Sequence, residues 1–274
     1  MPSPTIPATA PVHPSASTWM ARLAVVAALL FSLARAAIVL SGGLRSSGWD
    51  LALVMTPVLL ALLLLAGVGL SLLGPWRRPV RLVVVGPGRL RAPATPSVGW
   101  LVAAQVMVFT AAITQFGVVS VDLLRDPDAP EPFGYLLAVV TWLMAALWLL
   151  LLVAFVVAFF DGRPRMDLTP SGIEYRDLLG RRHIAWEALA PGTPVREPSG
   201  NSLVLTVVRP ELVERRGLAW GLAARPWLTL SYLSIHPWFL TDVLRWYVDH
   251  PQERTAIGTA AGNERLCRAL GVGC

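Results

Sequence analysis

The side chains with most chemical potential in this 274-residue chain are charged or amide groups set in or beside long apolar runs. Arg35 lies within the run Trp19–Leu40, Asp50 and Asp122 stand at the ends of neighbouring runs, and Gln105 and Gln115 interrupt another. Ionisable groups inside a bilayer mark ion or substrate paths, or pair with one another. An Arg35–Asp122 or Arg35–Asp50 pair lining a polar cavity is therefore the sharpest chemistry on offer. With Arg35 six positions before Ser41, its Cα is about 9 Å from the helix end at 1.5 Å per residue. A long side chain reaching to the interface is the plainer account, and the favoured one. For Gln105 and Gln115, hydrogen bonding to an adjacent helix is the ordinary role, and a transport path is the sharper one. Thr110 and Thr114 add to the polarity of that run, while Ala103, Ala104, Ala111 and Ala112 suit close helix packing.

No other grouping supports a reaction. Gly86-Pro87-Gly88 follows Val83–Val85 as glycines follow a strand in phosphate-binding turns, but the rest of that fingerprint is missing and an apolar run comes next. The four histidines, His13, His183, His236 and His250, share no metal-ligand spacing, and no Ser/His/Asp set has supporting local context. Cys267 and Cys274 fall outside any pattern of paired ligands, and a disulfide between them is not expected if that end is cytoplasmic. No catalytic residue, cofactor or metal is expected, and the chain is read as a non-enzyme.

The elements that carry these residues follow from composition. Hydrophobic residues make up 55% of the chain and charged ones 15%, against about 25% charged in a usual soluble protein, and mean hydropathy is +0.59. The net charge of +6 comes from arginine alone, since lysine is absent. These arginines cluster beside apolar spans, so the basic balance points to membrane orientation and not to nucleic acid. About 20 apolar residues cross a bilayer as a helix, which predicts four spans at about 19–41, 51–73, 98–122 and 135–160 in a transmembrane region 19–160. The loop 74–97 holds Arg77, Arg78, Arg81, Arg89 and Arg91 without an acid, whereas the loop after the third span is acidic around Asp122, Asp126, Asp128 and Glu131. Arg163 and Arg165 follow the fourth span. By the positive-inside rule both termini and loop 74–97 are cytoplasmic, in a multi-pass plasma-membrane protein. Residues 1–18 read as a disordered tail. Within loop 74–97, Arg81–Gly86 reads as a short strand whose flanking Pro and Gly argue against an ordered domain.

After Asp161 the pattern turns to short strands. Met166–Thr169, the turn Thr169–Gly172, Ile173–Leu179 and His183–Leu189 read as hairpins; Ser202–Arg209 and Trp227–Leu233 are further strands. Pro237–His250 spaces Leu240, Val243, Leu244, Tyr247 and Val248 as one helix face, opened by Pro237 and stopped by Pro251. The expected fold is membrane α plus β: a four-helix transmembrane bundle, then a small antiparallel barrel or sheet capped by a C-terminal helix at 161–257. Residues 258–274 read as a peripheral tail. Trp186, Trp220, Trp227, Trp238 and Trp246 are expected mainly in the core.

The run Leu168-Thr169-Pro170-Ser171-Gly172-Ile173, then Arg176–Arg182, then Ile184-Ala185-Trp186, resembles the opening hairpins of bacterial pleckstrin-homology-like (PH-like) domains. His236-Pro237-Trp238 through Tyr247–Pro251 resembles the closing helix of the actinobacterial version. The resemblance covers roughly Arg165–Gly258 and implies a curved sheet or barrel used as a binding scaffold, with no catalytic residues to carry over. Phosphoinositide-binding relatives use basic residues in the first turn; here that turn, Thr169–Gly172, has none. Headgroup contacts are expected from Arg77, Arg78, Arg81, Arg163 and Arg165, while Arg181-Arg182 and Arg215-Arg216 read mainly as solvated pairs that could also touch anionic headgroups. The expected partners are the lipid bilayer and either a protein partner or a second copy through the cytoplasmic domain. A small transporter or channel subunit is the alternative.

Overall fold

The computed structural model describes residues 16–40, 50–72, 78–125, 131–195, 201–218 and 224–272. Four helices precede most of the sheet: α1 (Ala16–Leu40), α2 (Asp50–Leu72), α3 (Ser97–Arg125) and α4 (Glu131–Phe160). The expected N-terminal tail lies outside the described residues except at Ala16–Thr18, which already belongs to α1. Among the described residues two stretches are long and apolar enough to cross a membrane, Thr18–Ile38 and Tyr135–Phe160. Among the described residues α2 and α3 supply shorter apolar stretches, Met55–Ala66 and Ser97–Ile113.

Helix α3 packs against the other three. A Cβ added to Gly99 would lie 2.7 Å from the Ala21 Cβ on α1 and 2.7 Å from the Phe159 ring on α4. Glycine permits that close approach. Further along both helices the Ser32 and Thr110 hydroxyls are 2.6 Å apart, so α1 and α3 run parallel. Phe109 meets Trp148 edge-on, 5.7 Å between ring centroids, so α4 runs antiparallel to α3. The N-terminal ends of α1 and α3 and the C-terminal end of α4 therefore share one side.

On that side lies a six-stranded antiparallel sheet in the order β1-β2-β3-β4-β5-β7. Its strands are β1 (Val83–Gly86), β2 (Arg89–Ala92), β3 (Arg165–Thr169), β4 (Gly172–Arg176), β5 (Gly180–Ala185) and β7 (Val213–Gly217). A second pair, β6 (Ser202–Val204) and β8 (Trp227–Thr229), forms its own small sheet. The six-stranded sheet is open, with β1 and β7 as its edges, so the barrel alternative is corrected to a sheet. The segment 81–92 is corrected as well: Pro87 and Gly88, at φ 74°, form the turn of a hairpin, and β2 pairs with β3 from Leu90↔Leu168 to Ala92↔Met166. Proline and glycine close this hairpin instead of breaking it.

One face of the large sheet, the small sheet and helix α5 (Pro237–Asp249) enclose the main core. Leu90, Met166, Leu168, Ile173 and Ile184 are fully buried there, with Leu240, Val243 and Leu244 of α5 above them. Burying each such side chain contributes about 1.5–3 kcal/mol. The residues expected as a peripheral tail also take part: Leu266, on α6 (Ala260–Leu270), is 1% exposed, next to Ile257 at 0% just before the tail. Of the five tryptophans expected in the core, Trp186 is 1% exposed, whereas Trp227 and Trp238 are 61% and 40% exposed, Trp246 is half-buried, and Trp220 lies outside the described residues.

Gly258 joins this C-terminal segment to the β1–β2 turn. Its φ is +79°, and a Cβ would sit 2.3 Å from the Arg89 nitrogen and 2.6 Å from the Gly86 oxygen. Both atoms are backbone, so neither can swing away. Gly258→Ala should lower the unfolding free energy by about 2–4 kcal/mol, read by denaturant titration in mild detergent. An unchanged midpoint would show that the segment does not dock on the turn.

Candidate functional site

The outer face of the large sheet is polar by strand alternation. β3, β4, β5 and β7 each place charges two residues apart: Arg165 and Asp167, Glu174 and Arg176, Arg181 beside His183, Glu214 and Arg216. Side chains at such spacing share a face. Register then lines them into two rows. One runs Arg91, Asp167, Glu174, His183, Glu214. The other runs Arg165, Arg176, Arg181, Arg216, each cross-strand partner of the next.

Asp167 holds the first row to the hairpin. Its side chain is 0% exposed and accepts two hydrogen bonds from Arg91, Nε at 2.6 Å and Nη2 at 3.1 Å. Arg165 Nε stands 3.7 Å from the same carboxylate and Arg89 Nη1 4.0 Å. Like charges directly opposite one another repel. Glu174 relieves part of the second row, lying 3.5 Å from Arg176 and 3.2 Å from Arg181. The relief is incomplete: Arg165 Nε and Arg176 Nε are buried without a hydrogen-bond acceptor. Burial, followed by the nearby charges of Arg91 and Arg176, lowers the Arg165 pKa below the usual guanidinium value, against the opposing pull of Asp167 and Asp161.

The residues expected to touch headgroups take several positions. Arg78 donates from Nη1 to the Leu230 oxygen (2.8 Å) and from Nη2 to the Ser231 oxygen (2.9 Å), so it clamps the domain's backbone rather than facing a lipid. Arg163 Nε donates to Asp161 at 2.8 Å, Arg165 donates to the Asp161 carbonyl, and Arg81 is exposed. Arg77 lies outside the described residues. The Arg78 clamp is one of several ties between the chain leaving α2 and the domain. His236 N donates to the Pro79 oxygen at 2.9 Å, and Ser234 N to the Pro93 oxygen at 2.8 Å.

Among the helices, Arg35 is 3% exposed, and among the described residues none of its three guanidinium nitrogens has a hydrogen-bond partner. Gln105 is half-buried on α3. The side chains of Asp50, Gln115 and Asp122 lie outside the described residues, so the pairing expected for Arg35 does too. Cys267 is buried on α6 and disulfide-bonded, against the reduced state expected of a cytoplasmic end.

The turn Thr169–Gly172 closes on itself, with the Thr169 hydroxyl donating to the Gly172 oxygen at 2.8 Å and lying 3.1 Å from Ser171 Oγ. It presents no cation. Sequence reading missed Asp167, Glu174, Arg176, Arg181 and Arg216 as members of one surface. The signal was the i, i+2 charge spacing on successive strands, but register was needed to align it.

Residues 163–213 match the family model described as a bacterial PH domain. The match runs from just after α4 through β3, β4, β5 and β6 to the first residue of β7. No curated protein and no solved structure matches the chain. A domain of this type suggests a binding or scaffold role.

Proposed function

We propose that this chain is a four-span integral membrane protein whose PH-like domain is a non-enzymatic binding or assembly module at the inner face of the plasma membrane. The observation that carries the reading is the exposure of α4. Of an 18-residue apolar window within Tyr135–Phe160 only 17% is buried, and Leu136, Leu143, Leu150 and Val157 are each more than 60% exposed. Contiguous apolar surface on that scale marks a partner or a membrane, and 26 residues extend about 39 Å as a helix, enough to cross the hydrocarbon. α1 and α2 add Leu23, Leu33, Leu59 and Leu63, all more than 60% exposed. The parallel course of α1 and α3, with α4 antiparallel, fits alternating crossings that return the chain to the domain's side.

The arginine-rich connection and the start of the domain favour placing that side in the cytoplasm, and the disulfide at Cys267 is the observation that stands against it. The domain partner is a protein or a second copy of the chain. Affinity purification of the full chain in mild detergent should recover a stoichiometric partner or a homo-oligomer; a partner-free monomer would count against a binding module. The second reading, a transporter or channel subunit, draws support from Arg35, buried with three nitrogens that find no partner among the described residues. A loss of solute flux in Arg35→Leu at unchanged expression would favour it.

A further inference from the structure

We infer that the open edge of β7 pairs with β7 of a second copy of this chain, antiparallel and about a two-fold axis at Arg215. The inference deepens the binding-module reading proposed above and rests on it. β7 ends the six-stranded sheet, and among the described residues no strand pairs with its outer side. Which backbone groups face that side follows from the ladder. Leu218 N donates to the Leu179 oxygen at 3.1 Å, in the same register that sets Arg216 opposite Arg181 and Glu214 opposite His183. Hydrogen-bonded pairs occur at every second position of an antiparallel ladder. The amides of Glu214 and Arg216 therefore turn into the sheet, and those of Val213, Arg215 and Gly217 turn to the open edge. Such a row of backbone donors and acceptors is a template for another strand.

The side chains decide which strand. Charges on an edge ordinarily repel a newcomer, but the order Glu214-Arg215-Arg216 is its own complement. With Arg215 opposite Arg215 of the copy, Glu214 faces the copy's Arg216 and Arg216 faces the copy's Glu214. In this register the outward groups of the two Arg215 residues bond each other. Both Glu–Arg pairs then fall at the narrow positions, about 4.5 Å between Cα atoms, where side chains meet most closely. Glu214 and Arg216 are exposed, and neither makes an ion pair among the described residues. The two rows of the outer face extend the match. Glu214 ends the row of Asp167, Glu174 and His183, and Arg216 ends the row of Arg165, Arg176 and Arg181. The two-fold joins each row to the other row of the copy. The one like pair, Arg215 on itself, lies on the opposite face at the wider spacing of about 5.5 Å. An isologous contact of this kind closes at two subunits. Two copies in one bilayer also need their axis along its normal, whereas an edge-to-edge pair has its axis normal to the sheet at β7. β3 leads away from the helix ends, and three strand steps of about 20–25° turn β7 by roughly 60–75° from it. The sheet normal at β7 is thereby swung toward the bilayer normal.

Sedimentation equilibrium of the full chain in density-matched mild detergent tests the pairing, and wild type should form a reversible dimer. E214R or R216E alone turns two attractive cross-strand pairs into two repulsive ones and should weaken the dimer about 30-fold. Mixing E214R with R216E should restore dimers as heterodimers, since both pairs are opposite in charge again, and the double variant E214R/R216E should dimerise by itself. A residue needed only for folding gives no such rescue. A dimer indifferent to both single variants, or no rescue on mixing, overturns the inference and leaves the binding-module reading standing. So does a wild-type monomer that carries another protein in stoichiometric amount on affinity purification. A partner-free monomer removes both.

Discussion

Asp167→Ala should destabilise the sheet domain by about 3–5 kcal/mol, because it removes one partner of a buried charge cluster and leaves the others facing each other. Asp167 is 0% exposed, with Arg91 bonded twice and 24% exposed, and Arg165 12% exposed. Arg89, at 4.0 Å and 38% exposed, adds little through solvent screening. The consequence is larger than one ion pair, since Arg91 belongs to β2 and Asp167 to β3. Losing the carboxylate loosens the hairpin that connects α2 and α3 from the domain that follows α4. Denaturant titration of the full chain in detergent measures the loss, and a double-mutant cycle with Arg91→Ala should give a coupling above about 1 kcal/mol. A change below about 1 kcal/mol in D167A would mean the carboxylate is hydrated in solution and not the hub described.

Trp186→Ala is expected to cost as much, about 3–5 kcal/mol, for a different reason. The indole is 1% exposed, donates from Nε1 to the Thr169 oxygen at 2.8 Å, lies 5.8 Å from the Tyr247 ring, and stacks under Arg254 at 5.6 Å. It therefore ties the β3–β4 turn to α5 and the segment after it. Trp186→Phe keeps most of the volume but orphans the carbonyl, so about 1–3 kcal/mol should be lost. The order alanine worse than phenylalanine worse than wild type is the checkable pattern in thermal or denaturant unfolding. Equal losses in both variants would place the weight on the hydrogen bond alone.

Much of the architecture was legible in local pattern. Apolar runs located the helices, and the spacing of Leu240, Val243, Leu244, Tyr247 and Val248 located α5, which buries each of them. The hairpin around Thr169–Gly172 was legible from its turn residues. Strand ends were less so. β4 stops at Arg176, not Leu179, because the Asp177 side chain accepts from Leu178 N and the Asp177 amide bonds Gly180. β6 ends at Val204, although the apolar run continues to Val208. What local pattern could not carry was pairing across distance. β2 and β3 are separated in sequence by two long helices, and nothing near Leu90 announces Leu168 as its partner. β7 was hidden for a related reason: on an exposed edge its residues Glu214, Arg215 and Arg216 show no apolar alternation.

That pairing changes how the candidate site is understood. Loop arginines that read as free positive charge are partly structural, Arg78 on backbone carbonyls and Arg91 on Asp167. Arg181 is likewise tied, to Glu174 on the neighbouring strand, and Arg216 stands exposed on the edge strand β7. With the helices and domain joined through hydrogen bonds at Thr95, Ser234 and His236, a partner bound to the domain would be held at a fixed height above the helix ends.

The most direct test of this arrangement is accessibility labelling in intact cells. The two native cysteines are replaced by serine, and a single cysteine is introduced either at Ser171 in the β3–β4 turn or at Asp128 in the acidic loop after α3. A membrane-impermeant maleimide should label the position-128 variant in intact cells and the position-171 variant only after permeabilisation. Labelling of both in intact cells, or the reverse pattern, would contradict a domain at the inner face of the membrane.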